Sequence, residues 1–346
     1  MNEINSTQIN ELRQIIDGAQ NIIITCHRSP DGDALGSSLA LSRYLQSQGK
    51  DVNIIIPDAY PDFLMWLPGT QEITRFDKHA DKAELLLKIS DLIFCLDFNT
   101  LNRVGENMES ALSASKAKKV LIDHHLNPDI DAALTISLPQ MSSTSEIVFE
   151  LIEALGGYES MDKHTATCIY CGMMTDTGAF SYNSNTPKTY SNIARLLEKG
   201  INKDKIYRNV YWVFSQNRMR LWGHVLQNFQ VSDDGHASYF TISRSDMKKY
   251  NFIKGDAEGL VNMPLQIRGM KLSISLREDT EKPNLVWVSL RSVDNFPCNK
   301  MAEKYFNGGG HLNASGGRLN CSIEEAVEIT KKAIAFYADK LKGKKS

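Results

Sequence analysis

The chain has 346 residues, of which 42% are hydrophobic and 23% charged, enough apolar material for two globular domains of ordinary size. Lys and Arg number 39 against 41 Asp and Glu, a formal net charge of -2, which excludes a protein that holds long duplex nucleic acid through a globally basic surface. No apolar run reaches the ~20 residues of a membrane span, and the start Met1-Asn2-Glu3-Ile4-Asn5 lacks the basic and apolar regions of a secretory signal. The six cysteines are scattered, so a reduced, cytoplasmic protein is expected.

In chain order, residues 21–26, 52–56, 92–96 and 120–122 are short and almost continuously apolar, which predicts strands covered on both faces. Between the first two, residues 33–48 carry Leu35, Leu39, Ser42 and Leu45 at helical spacing and stop at Gly49. This alternation predicts an α/β domain, a parallel sheet with helices on both faces. From Ser143 the pattern turns helical. Ser143-Thr144-Ser145-Glu146 reads as a capping box opening a helix over 146–154, and further helices are predicted over 163–174, 188–199 and 203–210. Later, Leu272, Ile274 and Leu276 alternate with polar residues, as do Val286, Val288 and Leu290, and a turn containing Pro283 joins them as a hairpin. Strands with one buried face predict a smaller, mixed-sheet α/β domain. The expected division is a first domain over 1–187, a helical linker over 188–216 and a second domain over 217–346. Lys340, Lys342, Lys344 and Lys345 read as a solvated helix end.

Three of the apolar strands run into metal-type donors. The first leads to His27, Asp31 and Asp33, the second to Asp97, and the third to Asp123-His124-His125; Asp176 stands at a helix-to-glycine break. In an open α/β sheet, ligands bind beyond the carboxyl ends of the strands. A single Asp there is ordinarily a turn or cap residue, but the same donor types at every relevant edge are a pattern. Converging aspartates repel and resist burial as anions, and divalent cations remove that conflict. Hard oxygens with imidazoles and no required thiolate suit Mn²⁺, Mg²⁺ or a similar ion. The donors are too many for one open catalytic ion and suffice for two, which at roughly 3.5–4 Å apart serve in-line displacement at phosphorus by a shared hydroxide.

These residues resemble the motifs of the DHH phosphoesterases, and Gly308-Gly309-Gly310-His311-Leu312-Asn313-Ala314-Ser315-Gly316 resembles their C-terminal DHHA1 domain. The resemblance spans nearly the whole chain. Within that superfamily the chain is most similar to the compact nanoRNases and phosphoadenosine-phosphate phosphatases, of the bifunctional oligoribonuclease type. It departs from the commonest pattern at Phe98-Asn99-Thr100 after Asp97 and at Ala179 after Gly178.

The resemblance implies two divalent ions, Mn²⁺ foremost. His27, Asp31 and Asp97 would hold one, and Asp33, Asp97, His124 and Asp176 the other. Asp123 is implied as an orienting group and His125 as the residue facing the scissile phosphate, so that His125, Asp97 and Asp123 form the catalytic set. Arg103, Arg291, Ser292, Gly309, Gly310 and His311 are implied as substrate contacts. The expected activity is hydrolysis of short oligonucleotides, linear dinucleotides or phosphoadenosine phosphate in a cleft between the domains. Alternatives are a cyclic-dinucleotide phosphodiesterase and a non-catalytic nucleotide- or RNA-binding module. No membrane partner is expected, and a homodimer is left open.

Other features carry plainer readings. Cys168-Ile169-Tyr170-Cys171 has redox or zinc spacing but lies in a helical pattern with no second pair, so packed thiols are expected. His79, His164, His224 and His236 stand outside every motif. Tyr207, Tyr211, Trp212 and Phe214 form an aromatic cluster, read as packing with base stacking as the alternative. There is no Walker A sequence, and Gly308–310 lacks the spacing of a dinucleotide fingerprint.

Overall fold

A computed structural model describes residues 4–253 and 255–343. The chain forms two compact units, 1–213 and 214–346. In the first, α1 (Ser6–Asp17) and β1 (Asn21–Thr25) lead into α2 (Gly32–Ser47), β2 (Asp51–Ile56) and the short β3 (Thr74–Arg75). Then come α3 (Ala80–Ile89), β4 (Leu92–Leu96), α4 (Glu106–Ala114), β5 (Lys118–Asp123) and β6 (Leu134–Ser137). Four helices follow: α5 (Thr144–Ala154), α6 (Lys163–Asp176), α7 (Pro187–Glu198) and α8 (Lys203–Tyr211).

The first sheet is wholly parallel, in the order β3-β2-β1-β4-β5-β6. Ile22 and Ile24 face one core with α2, α5 and α6, while Ile23, Ile93 and Leu121 face another with Ala83 and Leu87 of α3 and Met108 and Leu112 of α4. Burial on both faces is why these strands read as unbroken apolar runs. Helix α2 is buried nearly all round rather than on one face. Ser37 and Ser38 enter the core because their hydroxyls donate to the Asp33 and Ala34 carbonyls at 2.7 and 2.6 Å. Gly36 lets α6 cross in backbone contact: a methyl group on it would lie 2.5 Å from the Cys168 carbonyl oxygen and 3.0 Å from the Gly172 nitrogen.

Two sequence expectations differ here. The capping box at the start of α5 is only half made. Ser143 Oγ accepts from the Glu146 N–H at 3.0 Å, but the Glu146 carboxylate turns to Ser142 instead of returning to the cap. The stretch expected as a linker packs with the first unit through Leu196, Ile206 and Val210, and the chain divides between Val213 and Phe214. Amphipathic spacing marked α7 and α8 as helices without indicating which core their apolar faces join.

The second unit begins with α9 (Gln216–Asn228), β7 (Gln230–Val231), β8 (Ala237–Ile242) and α10 (Arg244–Lys249). It continues through β9 (Leu272–Glu278), β10 (Val286–Ser292), α11 (Cys298–Tyr305), β11 (Gly309–Gly310), β12 (Ala314–Leu319), α12 (Ile323–Phe336) and α13 (Ala338–Leu341). Its sheet, β11-β12-β10-β9-β8-β7, is mixed: β8 and β9 are parallel and the remaining pairs antiparallel, including the expected β9–β10 hairpin. Leu272, Ile274, Leu276, Val286, Val288 and Leu290 pack against α11 and α12. Lys340 and Lys342 are exposed, and Lys344 and Lys345 lie outside the described residues. Among the described residues no helix is long and apolar enough to cross a membrane.

Candidate metal centre

The strand order of the first sheet reverses between β1 and β4, which opens a crevice beyond their carboxyl ends. His27 follows β1, Asp97 follows β4, and Asp123-His124-His125 closes β5. Asp31 and Asp33 stand at the start of α2, and Asp176 ends α6. Three overlapping groups result, His27/Asp31/Asp97, Asp33/His124/Asp176 and Asp97/His124/His125, each with its ligand atoms within 4.8 Å of one another. The six residues expected as metal ligands are thus brought together.

The imidazoles are aimed by their far nitrogens. His27 Nδ1 lies 2.8 Å from the Arg28 carbonyl oxygen and His124 Nδ1 lies 3.4 Å from that of Met141. A carbonyl can only accept, so each Nδ1 carries a hydrogen, and Nε2 is the atom left facing inward, able to offer a lone pair once its own proton is gone. His27 Nε2 is buried without a hydrogen bond. It sits 3.4 Å from Asp97 Oδ2, misaligned for bonding, and 3.9 Å from Asp31 Oδ2. His124 Nε2 is 3.6 Å from Asp97 Oδ1 and 3.5 Å from Asp176 Oδ2. A buried lone pair facing carboxylates, on a ring anchored behind, is the arrangement a divalent cation requires. The residues present therefore fit the implied metal.

The carboxylates are held with equal economy. Asp31 caps α2, its Oδ1 accepting from the Asp33 and Ala34 N–H groups at 3.0 Å each, and turns Oδ2 toward His27. The cap and the face turned to His27 are two oxygens of one residue. Asp33 accepts from the Thr144 and Ser145 N–H groups at 2.7 and 2.8 Å, at the positive end of α5. Asp97 adopts a left-handed φ of 64°, and its Oδ1 accepts from Thr144 Oγ1 at 3.0 Å. Fully buried Asp123 accepts from His125 Nδ1 at 2.7 Å, which fixes that ring.

Electrostatics reflect the crowding. Burial disfavours a charged His27, yet Asp97 and Asp31 outweigh it and push its pKa up to about 9. His124 is likewise pushed up to about 9, against burial, by Asp176, Asp97 and Asp33. Burial, with Asp97 and Asp31 nearby, raises Asp176 to about 7, and burial with Asp97 and Asp176 raises Asp33. Burial opposes ionisation of Asp97, but His27, His125 and His124 pull it below the usual carboxylate range.

A pH effect follows. The two histidine pKa values are raised above the unfolded 6.5, so their stabilisation is complete below pH 6.5 and is lost as pH rises toward 9. Metal-free protein is therefore expected to melt at progressively lower temperature between pH 6.5 and 9. Because protons compete with cations for these atoms, the added stability from Mn²⁺ should widen over the same range. Thermal melts with chelator and with Mn²⁺ measure both; a gap that stays constant with pH contradicts the expectation.

Among the expected substrate contacts, Arg103 lies near this centre: its carbonyl accepts from the Arg28 N–H at 2.8 Å, and its charge opposes protonation of His27. The others belong to the second unit. Arg291 is half-buried, on the β10 face it shares by register with Ala314 of β12 and, further along, with Trp287 and Arg318. Trp287 and Arg318 had escaped notice, although alternation along β10 places Trp287 with Arg291. Ser292 is buried, and its hydroxyl donates to the Phe296 carbonyl at 2.8 Å and accepts from Asn313 at 3.0 Å, which ties it to a loop. Gly309 has open space beside it, whereas a methyl group on Gly308 or Gly310 would strike the Gly316 or Ala314 carbonyl oxygen at 1.9 or 2.7 Å. His311 is exposed at the turn between β11 and β12.

The site residues missed from sequence are Thr144 and Ser145. Ser143-Thr144-Ser145-Glu146 reads as a helix start, but the N–H groups that hold Asp33 carry no side-chain signature, and a first-turn threonine hydroxyl such as the one on Asp97 is too common to stand out. The plainer readings have structural counterparts. Cys168 and Cys171 are buried in α6, and burial pushes the Cys168 thiol up to about 12. Tyr207 packs on Tyr211 and Trp212 in the first unit, with ring centroids 4.9 and 6.1 Å away, while Phe214 packs on Trp222 in the second.

Residues 21–173 match the sequence profile of the DHH family, N-terminal domain, and residues 237–344 that of the DHHA1 domain. The chain is 29% identical to the bifunctional oligoribonuclease and PAP phosphatase NrnA of Bacillus subtilis, covering 92% of this chain and 95% of that protein. It is 24% identical to the cyclic-di-AMP phosphodiesterase PdeA of Listeria monocytogenes, covering 94% of this chain but 49% of that protein. Its fold superposes on the crystal structure of an exopolyphosphatase-related protein from Bacteroides fragilis with a TM-score of 0.95 and 46% identity, over 99% of this chain and 100% of the other.

Proposed function

The chain belongs to the DHH family, with a DHHA1 domain after its DHH domain, and from this premise we propose that it is a two-metal phosphoesterase of short oligoribonucleotides and phosphoadenosine phosphate. It is a hydrolytic enzyme. The observation that carries the finer reading is the buried, unbonded His27 Nε2 facing Asp97 and Asp31, beside a second cluster that shares Asp97's surroundings.

In this reading His27, Asp31 and Asp97 hold one cation, and Asp33, Asp97, His124 and Asp176 the other. Oxygen and imidazole donors favour Mn²⁺. Bound cations would supply charge neutralisation at the phosphoryl group and activation of water. The chain's own work is orientation. Asp123 fixes His125 through Nδ1, and His125 is the group proposed to face the scissile phosphate. Arg103 adds positive charge near His27. Arg291, His311 and the Gly309 and Gly310 amides are the proposed grip on the rest of the substrate, a role the buried hydroxyl of Ser292 serves only by holding their loop.

The test is mononucleotide release from pApA, pGpG and a five-nucleotide RNA, phosphate release from phosphoadenosine phosphate, and cleavage of cyclic di-AMP, each with Mn²⁺ and with chelator. Chelator-sensitive turnover of the linear dinucleotides and phosphoadenosine phosphate is expected. Faster cleavage of cyclic di-AMP than of pApA would replace this reading with that of the cyclic-dinucleotide relatives. No turnover of any substrate by protein that binds Mn²⁺ would end it.

A further inference from the structure

One carboxylate beside the metal centre has no counter-charge. Glu146 is 1% exposed on the first turn of α5. Its Oε2 accepts from the Ser142 N–H at 3.0 Å and from Ser142 Oγ at 2.6 Å, and its Oε1 accepts from Asn192 Nδ2 of α7 at 3.1 Å. The same Asn192 amide donates to Glu150 Oε1 at 3.0 Å, and Lys188 stands 3.7 Å from Glu150. Among the described residues no cationic side chain lies within 4.0 Å of Glu146. Neutral hydrogen bonds satisfy its lone pairs but do not repay the removal of a charge from water. The helix dipole repays only part.

The remainder points to the neighbouring ligands. Glu146 grips Ser142, and the next residues of that turn, Thr144 and Ser145, hold Asp33 through two backbone N–H groups and Asp97 through a hydroxyl. Resting on the two-metal reading, we propose that Glu146 is a positioning residue of the metal centre. It locks the 142–145 turn that aims Asp33 and Asp97, and it is a buried carboxylate without a cationic partner that bound cations would help to balance. Asn192 orients it from α7. Glu146 touches neither substrate nor metal in this scheme; it acts through the turn and through its field.

The two roles can be separated from mere structural support. Glu146→Gln keeps the shape and, through its carbonyl oxygen, the bonds from Ser142 while removing the charge; its NH2 then faces Asn192, whose amide must turn its oxygen inward to accept. Mn²⁺ affinity, followed by the free-Mn²⁺ electron paramagnetic resonance signal, is expected to fall about tenfold or more, the usual effect of a lost outer partner. The chelated protein should melt no lower than wild type, because a buried charge has gone. Turnover should recover as Mn²⁺ is raised, which damage to the fold would not allow. Asn192→Ala, which leaves the charge in place, should weaken Mn²⁺ binding by a smaller factor and supplies the test if the first variant does not fold. Equal Mn²⁺ affinity in wild type and variant, or loss of melting temperature alone, overturns the role of Glu146. Wild-type protein that binds no Mn²⁺ instead overturns the two-metal reading beneath it.

Discussion

Asp97→Asn is expected to lower kcat for dinucleotide hydrolysis by at least about a thousandfold, the upper range of what a single electrostatic contact supplies, in a chain that remains folded. Asp97 belongs to two of the three ligand groups and faces His27, His124 and His125 at 3.4, 3.6 and 3.7 Å. It is the one residue assigned above to both proposed cations. Asn keeps the shape, can still accept from Thr144 Oγ1, and is one of the few side chains at ease with the left-handed backbone found here. The substitution therefore isolates the charge from the backbone. Steady-state turnover at saturating Mn²⁺, with circular dichroism as the folding control, gives the result; near-normal kcat would rule out a bridging role.

The second large effect is expected from Gly172→Ala. In a free helix this change is favourable, and here it should be harmful. The new methyl group would lie 1.9 Å from Ser145 Oγ, 2.7 Å from Ser145 Cβ and 3.0 Å from Asp33 Oδ1. The hydroxyl can rotate, but Ser145 Cβ cannot retreat without moving the N–H that holds Asp33. Overpacking of this kind costs roughly 1–3 kcal/mol, a fall of roughly 2–12 °C in melting temperature for a unit of this size. The displacement acts on Asp33 directly and on α6, which carries Asp176, so Mn²⁺ stoichiometry should drop from two toward one. Unchanged melting with two ions bound would show that the helices can part without cost.

Much of this centre is readable in the sequence because the donors sit where strands end, and strand ends are visible as the last apolar residue of a run. His27, Asp97 and His124 are of that kind. Asp31 and Asp33 were readable from Pro30-Asp31-Gly32 following β1. What sequence could not supply were partners that act through the main chain or through distance. The amides of Thr144 and Ser145 carry no residue-specific signal, and Asn192 reaches Glu146 from 46 positions away. The fate of α7 and α8 was hidden for a related reason: amphipathic spacing states that a face is apolar, not which surface receives it. Ser292 looked like a ligand contact because its neighbour Arg291 did, but β10 alternates, and successive residues point to opposite faces.

The reversal of strand order at β1 and β4 also bears on when this protein acquires activity during its synthesis. The proposed ligands extend from His27 to Asp176, and they approach one another only after β4 and β5 have docked beside β1 and α6 has laid itself along α2. A growing chain that has displayed β1, β2 and β4 holds His27, Asp31 and Asp97 but still lacks His124 and Asp176 of the second proposed set. Completion of the proposed pair of sets therefore waits on α6, the last element to contribute a donor.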